Sequence, residues 1–417
     1  MPENFHIDMP EAVRNIIHTI EEHGFKAYAV GGCIRDSILG RNPDDWDITT
    51  SAVPSQIKTF FKRTVDTGIA HGTVTIMIDK TGYEVTTYRI DGEYEDGRHP
   101  KSVEFSDRLV DDLCRRDFTI NAMAYNDTDG FVDEFKGLDD LDAKIIRCVG
   151  EPELRFTEDA LRMMRAIRFS AQLGFTIDEA TWSAIKKLAP SISKISMERV
   201  HVELGKTLMS AHPDYVAEYS EAGLFEPILP VVDNALKSRY NKKILAILRH
   251  VPDNIYLRYA ALFITSTPDE AAKTLRALKL DNKTVDTVSK LVELSKIDIE
   301  ETEPAVRTAL NKYGRDFLPL WHELMMAVLQ ASEDITGISN PAKVKHLLTL
   351  KRLATDILAR GDCFTIKDLD ISGNDLIEYG LQGHEIGETL KSLLDIVIEN
   401  PKLNDKATLI AMIEHIK

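Results

Sequence analysis

Apolar and polar positions alternate in two different rhythms along this chain. Near the start the rhythm is short. Residues 26–30 (KAYAV) form an apolar run that predicts a buried strand, and they lead through Gly31-Gly32 into a helix-like stretch, 34–39. Residues 47–52 (DITTSA) predict a second strand, with a helix opened at Pro54. Residues 73–79 and 83–89 alternate around Lys80-Thr81-Gly82, which predicts a hairpin with a three-residue loop. Residues 90–112 lose the pattern and read as one long exposed loop. From about residue 153 onward, helical spacing takes over. Residues 159–169 read as one helix and 196–209 as another, and the remainder as helical segments broken at prolines. There is no repeat of fixed period and no low-complexity tract. The expected fold class is α+β: a small mixed sheet with helices, followed by an all-helical remainder.

Composition narrows the picture. A chain of 417 residues, 43% hydrophobic and 28% charged, has ample core for two to four domains. With mean hydropathy −0.19, it reads as a soluble globular protein. No apolar run reaches the ~18 residues of a bilayer span, and the N-terminus lacks the pattern of a signal peptide. Cys33, Cys114, Cys148 and Cys363 form no C-x-x-C pair, so neither a disulfide framework nor a zinc site is expected. The expected compartment is the reducing cytoplasm. A net charge of −16 argues against a general nucleic-acid binder. A polyanion would have to be met by individually placed arginines.

Three constellations carry chemistry. The first is Gly31-Gly32-Cys33-Ile34-Arg35-Asp36, followed by Asp45-Trp46-Asp47. Paired glycines at a strand-to-helix turn let the backbone approach a phosphate, and Arg35 adds a cation. Two aspartates two residues apart on a strand share a face, so Asp45 and Asp47 could hold one or two Mg²⁺ ions with hard oxygen ligands. Glu84, on the neighbouring hairpin, is the candidate third carboxylate. Read alone, the two aspartates could equally be solvated or capping groups. The second constellation is 115–123 (RRDFTINAM), where Arg116 and Asn121 are residue types that grip phosphate and sugar hydroxyls. Its bland alternative is a helix start capped by Asp117 or Thr119.

The third is the row Asp159, Arg162, Arg165 and Arg168, repeating every three residues, with Leu161, Met164 and Phe169 as core. The competing reading is an ordinary amphipathic helix laced with ion pairs. A carboxylate only accepts hydrogen bonds and a guanidinium only donates them. Cytosine and adenine show an amine donor beside a ring-nitrogen acceptor, whereas uracil and guanine show the reverse. Asp159 and Arg162, one turn apart, could therefore pair with C or A and reject U or G.

Together, GGCIRD, GRNPDDWDITTSA, RIDGEYEDGRHPKSVEF, RRDFTINAMAY, EDALRMMRAIRFSAQLGF and SMERVHVEL resemble the class II tRNA nucleotidyltransferases, specifically bacterial CCA-adding enzymes of the Bacillus type. The resemblance is close in the first half. It extends more loosely to LDISGNDLIEYGLQGHEIGETL near the end. It implies a nucleotidyltransferase palm as head (1–150), a neck of base-selecting helices (151–210), a helical body (211–335) and a helical, tRNA-binding tail (336–417). It implies untemplated addition of C, C and A to the tRNA 3′ end from CTP and ATP, with release of pyrophosphate and with Mg²⁺ as cofactor. Partners would be tRNA and the two nucleotides, with no membrane and, by analogy, a homodimer.

Position by position, Asp45 and Asp47 match the metal-binding aspartates and Glu84 the third acid. Gly32, Arg35 and Arg116 match triphosphate and sugar contacts, Asp159 and Arg162 the base reader, and Arg165 and Arg168 further nucleotide contacts. Arg89, Asp91, Gly92, Asp96 and Arg98 match a loop linked to the switch from C to A, with Arg98-His99-Pro100 where Arg-Arg-Pro is usual. The His-Asp pair of an appended phosphohydrolase module is absent. Candidate tRNA contacts are the basic clusters Lys186, Lys187, Lys194, Arg199 and Lys206; Lys237, Arg239, Lys242 and Lys243; and Lys343, Lys345, Lys351 and Arg352. CC-adding, A-adding and poly(A)-synthesising relatives are the nearest alternatives, and a non-catalytic RNA-binding protein on the same fold is a third. The intact 89–105 loop speaks against CC-only addition, because CC-adding relatives lack it. The net charge speaks mildly against poly(A) synthesis.

Overall fold

The computed structural model describes residues 6–92 and 103–416, which fall into two compact units, Met1–Pro230 and Val231–Lys417. In the first unit, helix α1 (Glu11–Glu22) buries Val13, Ile16, Ile17 and Ile20, the single stripe expected of an amphipathic helix. Strand β1 (Ala27–Val30) is buried along its whole length and passes through Gly31 into α2 (Gly32–Ile38). Gly31 has φ 85°, a left-handed conformation that costs other residues free energy. Then follow β2 (Ile48–Thr50), α3 (Pro54–Phe60), β3 (Thr64–Gly68), β4 (Thr73–Ile78), β5 (Thr81–Thr87), β6 (Arg89–Asp91) and β7 (Val103–Phe105). The unit continues with α4 (Leu109–Cys114), β8 (Ala124–Asn126), β9 (Gly130–Val132), α5 (Gly137–Ala143), β10 (Ile145–Ile146), α6 (Pro152–Glu158) and α7 (Leu161–Leu173). Its last elements are β11 (Thr176–Ile177), α8 (Glu179–Leu188), α9 (Met197–Leu208) and α10 (Val216–Glu221).

Among the described residues the main sheet has seven strands in the order β3-β4-β5-β2-β1-β8-β9. All its pairs are antiparallel except β2 with β5, which run parallel with Ile48 opposite Val85. That pairing sets Asp47 and Glu84 level, each one residue before the matched pair. Tyr28, Val30, Tyr88, Leu113, Ala122, Ala124 and Val149 pack together in this unit's core.

Four local expectations change. Asp45 and Asp47 lie in the chain just before β2, not on it, although the Asp47 carbonyl still accepts a bond from Val30 N at 3.0 Å. The hairpin turns on two residues, Asp79 and Lys80, because Asp79 adopts φ 54° and satisfies the left-handed demand of a two-residue turn. Gly82 therefore sits inside β5, where a Cβ would meet Thr75 Cγ2 at 2.8 Å. The stretch 90–112 is not one loop, since β6 pairs with β7 and α4 follows. Its Asp96, Arg98, His99 and Pro100 lie outside the described residues. Finally, 159–169 is not one helix. Asp159 ends α6 in an extended conformation and its carboxylate accepts the Leu161 N–H at 3.0 Å, capping the start of α7.

The second unit is helical among its described residues. Pro268 and Pro341 open helices there rather than merely ending them, as proline at the first helical position does. One core joins Leu376, Leu393, Val397, Leu409 and Ile413 near its end. The buried Arg307 donates to the Ile398 carbonyl at 2.7 Å and pairs with Glu303 and Asp362. No described helix is long and apolar enough to cross a membrane.

Candidate active site

The turn from β1 into α2 opens onto a cavity of about 660 Å³ in the first unit. Seven of the ten expected site residues line it: Gly32, Arg35, Asp45, Asp47, Arg116, Arg165 and Arg168. Segments far apart in the chain meet there because α2 packs on β1 and on the 3₁₀ turn Thr119–Asn121, while Phe169 of α7 meets Arg35 of α2.

Arg35 is buried, donates to Asn121 Oδ1 at 2.6 Å and pairs with Asp36 at 2.8 Å. Asn121 in turn donates to Asp117 Oδ1 at 3.0 Å, and Arg165 holds the other Asp117 oxygen at 2.6–2.7 Å. Arg168 donates to Gln172 at 3.0 Å. Its Nε lies 2.6 Å from Glu203 but off the N–H direction, so charge rather than an aligned hydrogen bond holds that pair. The guanidinium carbons of Arg168, Arg35 and Arg165 lie 3.9, 5.0 and 5.3 Å from the centre of the Phe169 ring. Phe169, expected as core, is buried and also lines the cavity.

Asp45 and Asp47 stay accessible to the cavity. Protein nevertheless crowds Asp47 on most sides, as at the floor of a cleft. This desolvation raises its pKa, Arg116 counters it, and Asp45 adds to it. The Glu84 carboxyl is raised by burial and by the charges of Asp47 and Asp45, so the three acids lie within electrostatic reach of one another. Glu84 does not line the cavity, and no three such side chains among the described residues converge tightly enough to hold an ion unaided.

Asp159 and Arg162 do not line it either. The Asp159 carboxylate is taken by Arg199 at 2.6 and 3.2 Å. Arg162 donates to Glu158 at 2.6 Å and to the carbonyls of Arg155 and Arg115. The pair read as one unit from its spacing is thus split between two partners. Of the basic clusters, Lys206 lines the cavity, Lys187 pairs with Glu153 and Lys343 with Asp298.

Asp117 and Glu203 are the residues that sequence reading missed. The arginines gathered around Asp117 were a usable signal, because a buried acid amid cations is seldom solvated. Burial by itself would raise the Asp117 pKa, but Arg165, Asn121 and Arg162 outweigh it and hold the carboxyl well below the usual range. A depressed folded pKa stabilises the fold above the unfolded value of about 4 and loses that contribution as pH falls below it. The melting temperature of the wild type is therefore expected to drop between about pH 5 and 3, with Asp117→Asn showing a flatter acid limb. At neutral pH the variant should lose about 3 kcal/mol, the low end for a broken buried pair, since Arg165 keeps a third of its side chain open. Thermal melts from pH 5 to 3 check the first, and urea titrations of both proteins at pH 7 check the second.

Comparison with known proteins places this geometry. The Poly A polymerase head domain matches residues 27–147, the probable RNA and SrmB- binding site of polymerase A matches 174–236, and tRNA nucleotidyltransferase domain 2 matches 254–413. The CCA-adding enzyme of Levilactobacillus brevis is 36% identical over 99% of this chain and 98% of its own. That of Pediococcus pentosaceus is 34% identical over 98% of both. The chain belongs to the CCA-adding enzyme family. A crystal structure of the Bacillus stearothermophilus CCA-adding enzyme in complex with CTP superposes with TM-score 0.75, at 32% identity and 97% coverage of both chains. This bears out the expected family and the α+β fold with its nucleotidyltransferase head. The cavity residues from Gly31 to Asn121 fall within the matched head of this CCA-adding family member. The row from Asp159 to Arg168 falls between the first two matched segments.

Proposed function

We propose that this chain adds and repairs the 3′-terminal CCA of tRNA from CTP and ATP without a template, releasing pyrophosphate. The observation that carries the reading is the meeting of Asp45 and Asp47 with Arg35, Arg116, Arg165 and Arg168 on one cavity in a chain of this family. The four-part division at 150, 210 and 335, and a cytoplasmic location, belong to the same proposal.

Mg²⁺ suits this donor set. It is commonly bound by one or two carboxylates plus substrate phosphates rather than by a complete protein cage, which is what Asp45 and Asp47 offer. Bound there, it would supply Lewis-acid help to the tRNA 3′-hydroxyl and offset charge on the departing pyrophosphate. The chain's own residues do the rest. The Gly31-Gly32 backbone, Arg35 and Arg116 restrain the triphosphate, so the 3′-hydroxyl meets the α-phosphate in line. The Asp117–Asn121–Arg35 chain fixes Arg35 in place, which lowers reorganisation when charge shifts. Glu84 contributes negative charge behind Asp47. Asp159 and Arg162 read the base edge by exchanging one of their present bonds, to Arg199 or Glu158, for one to the base.

The test is purified protein with Mg²⁺, a tRNA ending at its discriminator base, and each nucleotide separately and together. Products three nucleotides longer, formed only with CTP and ATP, are expected on a sequencing gel. Two-nucleotide products, single A additions or long A tails would assign the chain to a relative of narrower or different output. No extension would remove the reading.

A further inference from the structure

Asp112, in the first turn of α4, has no solvent exposure of its side chain, yet it carries a charge and three partners. Arg115 places Nε and Nη2 on Oδ1 at 3.0 and 2.6 Å. Arg116 Nη2 and Thr49 Oγ1 share Oδ2 at 3.2 and 3.1 Å. One carboxylate between two guanidinium groups leaves one positive charge in excess. Arg115 is the more committed of the two. For Arg116, the bond to Asp112 is the single side-chain hydrogen bond found among the described residues, and its buried Nε has no partner.

The direction in which Arg116 is held matters. Its Nη1 lies over Gly31, where a Cβ would come within 2.8 Å of it, and its charge acts on Asp47. Arg116 lines the cavity; Asp112 does not. Thr49, the third partner, is two residues beyond Asp47 on β2. Asp112 therefore ties together the strand that follows the aspartates and the cation that stands over the glycine turn.

We infer that Asp112 is a positioning residue: it aims the Arg116 guanidinium across the Gly31 turn toward the incoming triphosphate, and it acts on the nucleotide only through Arg116. This rests on the proposed nucleotidyl transfer and adds to it the part that orients the substrate's phosphates. A carboxylate that merely fastened α4 to β2 would show the same burial and the same bond to Thr49. It would not make nucleotide binding depend on Arg116.

A double-mutant cycle on the full-length protein separates the two. Asp112→Asn keeps the volume and an acceptor for Thr49 but loses the charge. It is expected to raise KM for both CTP and ATP about tenfold with kcat changed less than about threefold, as loss of a charge-assisted bond felt in binding would do. In an Arg116→Ala background the same substitution should change KM less than about twofold, because the residue it positions is gone. Equal effects in both backgrounds, or a fall in kcat with KM unmoved, would overturn the inference. If Asp112→Asn does not fold, Thr49→Val takes its place, removing one donor from the oxygen that Arg116 uses. A KM rise of about threefold that vanishes without Arg116 supports the inference, and no rise, or the same rise in both backgrounds, overturns it. CTP and ATP binding measured by calorimetry without tRNA repeats the cycle independently of turnover. A wild-type protein that binds nucleotide but extends no tRNA would thus sink the proposed reaction while still deciding the role of Asp112.

Discussion

Asp45→Ala is expected to abolish nucleotide incorporation from CTP and ATP alike, by roughly 10³-fold or more, the scale on which charge stabilisation and nucleophile activation at a phosphoryl centre are lost together. Both nucleotides should suffer equally because the group acts at the α-phosphate, which they share. The fold should survive. Asp45 is exposed, lies outside the sheet and belongs to no ion pair found among the described residues. An unchanged melting curve beside a dead enzyme on a primer-extension gel is therefore the expected pair of results. If most of the incorporation persisted with both nucleotides, the pair Asp45 and Asp47 could not be the ion-binding acids, and the mechanism would need a different centre.

Asp159→Ala should act on choice rather than on rate. With the acceptor gone, a base presenting a carbonyl at that edge no longer meets a repelling oxygen, and a base presenting an amine loses its partner. The ratio of kcat/KM for CTP and ATP over UTP and GTP is expected to fall about 10²-fold, a part of the roughly 10⁴-fold or more by which a site built to hydrogen-bond a substrate group rejects an analogue lacking it, because Arg162 remains. Affinity for the divalent ion should be nearly unchanged, since Asp45 and Asp47 are untouched. The structure adds a cost that the sequence did not suggest. Asp159 also caps α7 through Leu161 and neutralises Arg199, so about 1 kcal/mol of stability goes with it. Competition assays with all four nucleotides, read beside a thermal melt, separate the two effects. Undiminished rejection of UTP and GTP would dismiss Asp159 as the reader.

What could be read along the chain was whatever depends on near neighbours. The run of β1 into paired glycines and α2 is local, and so is the spacing of Asp45 and Asp47. Both point to the right corner of the fold. The parallel pairing of β2 with β5 is not local. It brings Glu84 level with Asp47 from far along the chain, and composition carries no trace of that register. Asp117 and Asp112 were hidden for a related reason. Each is an ordinary acid among basic residues until packing removes the water and closes arginines around it, with Asn121 beside Asp117 and Thr49 beside Asp112. The misreading of Asp159 is instructive in another way. Its three-residue rhythm with the arginines is real, but an aspartate that can cap a following N–H competes with the helix for the same backbone. Periodicity alone cannot see that competition. The acid-rich segment after β5 concealed a short strand pair because charge masked the alternation of Arg89–Asp91 and Val103–Phe105.

Three cations crowd the one ring of Phe169, and each already has a resident anion: Asp36 for Arg35, Asp117 for Arg165 and Glu203 for Arg168. The pocket thus resembles a loaded ion-exchange resin more than a bare positive patch. An arriving triphosphate competes with carboxylates tethered to the chain rather than with dissolved chloride. Since tethered anions do not become scarcer when the buffer is diluted, nucleotide affinity here should vary less steeply with ionic strength than the number of arginines would suggest.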